Sequence, residues 1–321
     1  MLSNYRNAVS FISAAVAGTL IATSVFAADL IRIGKSSNTA FAFTVVEMGE
    51  RIGAWEKQGL EVEVLEFAGD SKLQQGLVSN AVELGLGSGP GMGFFAKGVP
   101  AKTVAPLVDA PANFAIIAGA NSSISTPEDV KGKRIGITSP GSLTYWLAVE
   151  FARRQGWGIK GVETVPLGTT AALISALTAG QIDAFILTTA TGYRMEAEGV
   201  GRIVTTFGES IPQFHTHMLF ATDVAIAERP EQIRKFIAGW KETVDYMAEH
   251  KQEAAENANA VAGIPLEIAL REYDNIMPIF NRELKYSDAA LDLLAQSFVD
   301  LEIVPEKPNM QDLYTTEFLP N

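Results

Sequence analysis

The feature that most constrains this chain is that it repeats itself at a spacing near one hundred residues. Arg32-Ile33-Gly34 returns as Arg134-Ile135-Gly136, and Leu73, Leu77, Val82, Glu83 and Leu86 return as Leu173, Leu177, Ile182, Asp183 and Ile186. Each copy reads as a short apolar strand, a hydroxyl-rich loop and a helix pattern ending near a tryptophan, Trp55 or Trp157. A second strand follows (Glu61 to Phe67, Gly161 to Pro166), then a helix with apolar residues at i and i+4, a turn, an acidic residue and a buried strand. Matching order over some 60 residues marks a duplicated supersecondary unit rather than chance likeness between two α/β segments.

Strands alternating with helices imply mostly parallel sheets joined by right-handed crossovers. The predicted architecture is therefore α/β, with two similar lobes joined by a two-segment hinge that allows closure. Residues 28–117 and 219–321 are assigned to lobe 1 and residues 118–218 to lobe 2, with helices at about 230–249, 265–279 and 287–301 packed on lobe 1. Ligands of such sheets bind beyond the carboxyl ends of the strands. The repeat thus predicts that loop 36–39 faces 138–144, loop 69–71 faces 168–170, and loop 88–91 faces 188–191 across a cleft.

The first residues carry Arg6 and then an apolar stretch from about Val9 to Phe26, closing on Val25-Phe26-Ala27. Small residues before a cut are what signal peptidase accepts, so residues 1–27 are expected to be a signal peptide cleaved after Ala27, directing the chain to the periplasm. Serines and threonines dilute the stretch as a membrane anchor. With no cysteine, disulfides, thiol catalysis, thiolate metal sites and lipid tethering through a cysteine are excluded. The 25 Lys and Arg against 37 Asp and Glu give a net charge of −12, which repels nucleic acid and anionic lipid.

Three segments resemble a known family: Gly53-Ala54-Trp55-Glu56-Lys57-Gln58-Gly59-Leu60-Glu61-Val62, the turn Gly85-Leu86-Gly87-Ser88-Gly89, and Val130-Lys131-Gly132-Lys133-Arg134-Ile135-Gly136. Together with the export signal and Arg32-Ile33-Gly34, the chain resembles the substrate-binding proteins of ABC importers of the nitrate/sulfonate/taurine type, the NMT1/THI5-like group. The resemblance implies a type II periplasmic binding protein fold. It also implies capture of a small organic anion or polar compound (a sulfonate, taurine, nitrate or a carboxylate) and its delivery to an inner-membrane permease driven by a cytoplasmic ATPase. No Gly-x-x-x-x-Gly-Lys-Ser/Thr segment is present, so ATP hydrolysis falls to that partner.

The candidate ligand-binding residues follow from the loops. Ser71, Ser142 and Thr170 stand where helices begin, next to Asp70 and Thr144, and serve as caps, as ligand donors or as both. Ser37, Thr39, Ser88, Gly89, Thr188 and Thr189 follow strands. Phe41, Phe43, Tyr145 and Trp146 offer apolar walls, Tyr193 and Arg194 follow the Thr-rich turn, and His215 precedes the return crossing. His215 and His217 would share one face of a strand, and no cysteine or carboxylate pair completes a metal set around them. Lys35 is the only cation in the first set of loops, which points to a monoanion or polar organic compound rather than a phosphate.

No catalytic residue, cofactor or metal is expected, since nucleophile-elbow, His-Glu-x-x-His and dinucleotide fingerprints are missing. A monomeric, non-enzymatic receptor is the leading reading. Two alternatives are a periplasmic sensor reporting to a membrane receptor and an enzyme resembling the pyrimidine-forming members of the THI5 group. The latter is expected to need a reactive His with a Cys cluster, and this chain has no Cys. A LysR-type effector domain would carry a helix-turn-helix where the export signal stands.

Overall fold

In the computed structural model, which describes residues 28–320, the chain forms two five-stranded mixed sheets. The first sheet contains β1 (Asp29–Lys35), β2 (Leu60–Glu66), β3 (Leu84–Ser88) and β4 (Ala101–Asp109). The second contains β5 (Phe114–Gly119), β6 (Arg134–Ile137), β7 (Glu163–Pro166), β8 (Ala184–Thr188) and β9 (Gly201–Thr206), and β10 (His215–Thr222) returns to the first. The orders are β2-β1-β3-β10-β4 and β7-β6-β8-β5-β9. In each sheet three parallel strands are followed by one antiparallel strand contributed from across the hinge, β10 in one case and β5 in the other. The expected signal peptide lies outside the described residues.

The repeat holds down to individual hydrogen bonds. The Arg32 backbone N–H and guanidinium both donate to Glu83, at 2.9 and 3.1 Å, and Arg134 does the same to Asp183 at 2.9 and 2.7 Å. Both guanidiniums also reach the turn that ends the preceding helix, through the carbonyls of Asn80 and Gly180. Gly34 and Gly136 are needed for close approach, because a Cβ there would lie 2.5 Å from Leu73 Cδ1 and from Leu173 Cδ2. The glycines that turn the chain into the two matching helices, Gly69 and Gly168, both sit in the left-handed region, at φ 90° and 83°. Four sequence coincidences are thus four shared structural devices.

The chain crosses between sheets at 110–113 and at 207–214, a few residues before the expected boundaries. Phe114–Ile117 pairs in register with β8 and belongs to the second sheet, whereas His215–Met218 pairs with β3 and β4 in the first. The apolar runs that were read as ending each lobe are the antiparallel strands of the next one. Turn-forming Pro111 and Asn113 mark one crossing, and Gly208 and Pro212 the other.

Helices Pro230–Glu249, Lys251–Ala262 and Leu266–Ile276 cover the first sheet in one core with Trp55, which stacks on Phe236 at 4.8 Å. Helix Asp288–Asp300 behaves differently from the expectation. Its Leu291, Leu294 and Phe298 share a core with Trp146 and Phe214. It therefore bridges the lobes, and Trp146 stacks on Phe214 of the second crossing at 3.9 Å.

Candidate ligand cleft

The carboxyl ends of β1, β3, β6 and β8 converge on a partly open cavity between the two halves, with about 50 Å³ of space. Its wall takes Ser36, Ser37, Thr39, Asp70 and Ser88 from the first half and Thr138, Thr144 and Thr188 from the second. Ala40, Phe43, Phe114, Leu143, Leu187 and His217 complete it. An adjoining recess of about 210 Å³ shares Ser36, Ser37, Thr138 and Leu187 and adds Glu66 and Thr170. Asp70, Ser88 and His217 line only the inner cavity.

Most of the hydroxyl groups are already paired. Thr144 Oγ1 takes the Thr138 backbone N–H and meets the Thr138 and Ser142 hydroxyls, all at 2.9 Å. Thr188 meets Thr191 at 3.4 Å. Thr39 and Thr170 meet hydroxyl to hydroxyl at 3.0 Å, which joins the two halves directly across the cleft. Ser71 makes a second such link by donating to the Pro140 carbonyl at 2.8 Å.

Two ionisable side chains face the inner cavity. Asp70 begins helix Asp70–Val78 and accepts from the Ser88 backbone N–H at 2.8 Å and the Ser88 hydroxyl at 2.9 Å. Burial pushes its carboxyl up to about 6, partly offset by those two bonds. His217 is 5% exposed, and neither ring nitrogen makes a well-formed hydrogen bond, although the Gly87 backbone stands near enough to oppose part of the effect of burial. Burial pushes it down to about 3, so it is neutral at physiological pH. Its ring packs edge-on against Phe43 at 4.7 Å and lies 6.0 Å from Phe114. Buried polar groups without partners are rare, and one that lines a cavity marks where a ligand atom would be held.

The cations lie elsewhere. Lys35 is 1% exposed and held by Glu47 at 2.5 Å. Arg194 lines a neighbouring crevice with Thr39, Thr170, Thr191 and residues 262–265, on the far side of the Thr39–Thr170 contact, and stands 4.0 Å from Glu198. No Lys or Arg lines the inner cavity or the recess.

Of the residues expected to bind ligand, Ser37, Thr39, Asp70, Ser88, Thr144 and Thr188 line the inner cavity, and Thr170 lines the recess. The rest stand apart from both. Phe41 is a core residue edge-on to Tyr273 at 6.4 Å, and Phe43, one turn on, faces the cavity instead. Ser71 faces the opposing loop, and Gly89 is pressed against β10, where a Cβ would lie 2.1 Å from the His215 carbonyl oxygen. Ser142 caps helix Leu143–Arg154 by accepting from the Tyr145 N–H, and Tyr145 packs at the core edge. His215 is tied to Asp109 at 2.5 Å and accepts from the Ser287 N–H. The strand alternation that would align the two histidines is broken by register shifts on both sides of His217, so the imidazoles have different surroundings.

Thr189 and Tyr193 belong to a contact between the halves that sequence reasoning did not anticipate. Glu272, fully buried on helix Leu266–Ile276, accepts from Thr189 at 2.5 Å and from Asn113 at 3.4 Å, at the start of helix Thr189–Ala197. Asn275 donates to the Tyr193 hydroxyl at 2.8 Å. Burial raises the Glu272 carboxyl to about 7. A larger groove of about 700 Å³ lies between helix Pro230–Glu249 and residues 317–320, but no strand end points into it.

The family model described as NMT1/THI5 like matches residues 40–254. A putative aliphatic sulfonates-binding protein of Bacillus subtilis is 22% identical over 250 residues, 78% of this chain and 74% of its own. A protein of Legionella pneumophila named 4-amino-5-hydroxymethyl-2-methylpyrimidine phosphate synthase is 22% identical over 290 residues, 87% of this chain and 88% of its own. A Candida albicans protein described as having the generic periplasmic binding protein fold superposes with a TM-score of 0.77, at 16% identity, over 91% of this chain and 98% of its own. The fold is therefore that of the periplasmic binding proteins. Among the described residues no helix is long and apolar enough to cross a membrane.

Proposed function

The chain belongs to the NMT1/THI5-like family, and we propose that it captures a small polar solute between its lobes as the periplasmic binding component of an ABC importer. The observation that carries this reading is the inner cavity. It is built from matched loops of both halves, and it holds a neutral imidazole whose ring makes no well-formed hydrogen bond within the protein. Release then requires that the halves part around the two crossings, which breaks the Thr39–Thr170 and Ser71–Pro140 contacts at the cleft mouth. The Bacillus relative, a putative aliphatic sulfonates-binding protein, supports a small solute as the ligand. Membership of this family supports delivery of the solute to a permease powered by a separate ATPase.

The synthase name carried by the Legionella relative raises an enzymatic reading. The cavity favours capture over catalysis, because its hydroxyls bond to one another and to Asp70, and none contacts His217. No cavity hydroxyl among the described residues is paired with an imidazole, and the Ser88 hydroxyl that donates to Asp70 is held in a bond that also fixes its own loop.

The mature protein should be screened by thermal shift against sulfonates, carboxylates, nitrate, amines and amides, with small-angle scattering on every hit. Saturable stabilisation, accompanied by an unchanged or smaller radius of gyration, is expected for at least one small compound. Absence of any hit across the panel, or turnover of a hit into product, would count against the proposal.

A further inference from the structure

We infer that the cavity selects a ligand that brings a nitrogen–hydrogen donor, uncharged or cationic at that end, and that it rejects anions offering only acceptors. The inference rests on the capture reading above and narrows its ligand class.

The argument is one of unused hydrogen-bonding capacity. Asp70 is buried and spends one bond from each oxygen on Ser88, which leaves further lone pairs to accept. His217, neutral in its buried position, has one N–H, near which the Gly87 backbone stands, and one acceptor nitrogen that no protein donor meets. The inner wall therefore asks for a donor opposite Asp70 and for a donor opposite His217. A sulfonate or nitrate supplies acceptors alone.

Charge points the same way. The ionisable side chains lining the cavity and its recess, apart from His217, are Asp70 and Glu66, both carboxylates. Lys35, the nearest cation along the chain, is matched by Glu47. An anion placed beside a buried carboxylate meets repulsion in a low dielectric, with no guanidinium or ammonium to offset it. Pushing the Asp70 carboxyl up to about 6 leaves it mostly ionised near neutrality. Phe43, Phe114, Leu143 and Leu187 supply apolar lining behind the donor.

A head-group series on one ring tests this: benzamidine, benzamide, benzoate and benzenesulfonate, titrated calorimetrically at pH 7.5. Benzamidine and benzamide should bind at least tenfold more tightly than the two anions. Asp70→Asn should erase most of the benzamidine advantage. Because Asp70 also holds Ser88 and its replacement can unfold the loop, His217→Phe provides a second readout. That variant keeps ring bulk and should weaken benzamide at least fivefold while leaving benzamidine ahead of benzoate.

Tighter binding of the anions, or affinities unmoved in a folded His217→Phe, overturns the inference and leaves capture standing. If the series is silent, the wider screen decides. A hit that is an acceptor-only anion overturns the inference, and a hit bearing an N–H donor whose affinity falls in His217→Phe supports it. No hit in either set removes capture and the inference together.

Discussion

Replacing Glu272 by Gln should change how the stability of the protein depends on pH, and the size of the change follows from burial. Glu272 is fully buried where helix Leu266–Ile276 meets the start of helix Thr189–Ala197, and desolvation raises its carboxyl from 4.5 to about 7. Bonds from Thr189 and Asn113 only partly offset that cost. Between those two pH values the unfolded chain releases a proton that the folded protein keeps. The stability this group contributes is complete below pH 4.5 and is lost as pH rises through 7. At 1.36 kcal/mol per pH unit the loss is about 3 kcal/mol. Gln keeps the shape and cannot ionise, so the stability of E272Q minus that of the natural protein should grow by about 3 kcal/mol between pH 4.5 and 8. Urea unfolding of both proteins at half-unit pH steps measures this difference, and taking the difference cancels every other titrating group. A flat difference would show that Glu272 is either solvated or already paired with a donor strong enough to hold it ionised.

Other perturbations test separate parts of the account. His217→Phe should gain about 2 kcal/mol on the natural protein between pH 7 and pH 5, because an imidazole pushed down to about 3 stays neutral while the unfolded chain charges below 6.5; parallel unfolding curves at the two pH values would refute its burial. Gly34→Ala and Gly136→Ala should each cost about 1–3 kcal/mol by pressing on Leu73 and Leu173, and their effects should add because they lie in different halves. Lys35→Met should cost about 2 kcal/mol by leaving Glu47 beside an apolar side chain, and the added change Glu47→Gln should recover part of it; no recovery in the double variant would mean the pair is not coupled. Thr39→Val should lower the small-angle scattering evidence of compactness without ligand, since it removes a cross-cleft hydroxyl contact.

Much of the fold was legible because a duplicated unit has to satisfy the same local physics twice. Arg32 could be matched to Arg134 and Glu83 to Asp183 from spacing alone, and in each copy the Arg bonds to the acid in the same way. The lobe boundaries were less legible. An apolar run such as Phe114–Gly119 looks the same whether it ends one sheet or enters the next, and only its pairing with β8 decides. At the site, hydroxyls in post-strand loops could be placed, since loops at strand ends must converge. Which histidine and which phenylalanine faces inward could not, because a bulge at His217 and a 3-10 turn at Phe41–Thr44 break the periodicities used to read them. Glu272 was missed for a different reason. Its role comes from a contact with Thr189, 83 residues earlier, and nothing in its own helix marks it.

The central claim is that ligand is held by both halves at once, between matched loops. Hydrogen exchange with and without a saturating compound from the screen tests it most directly. The account predicts simultaneous protection of amides in 36–39 and 88–91 of the first half and in 138–144 and 188–191 of the second. Protection confined to one half, or centred on the groove between helix Pro230–Glu249 and residues 317–320, would contradict it.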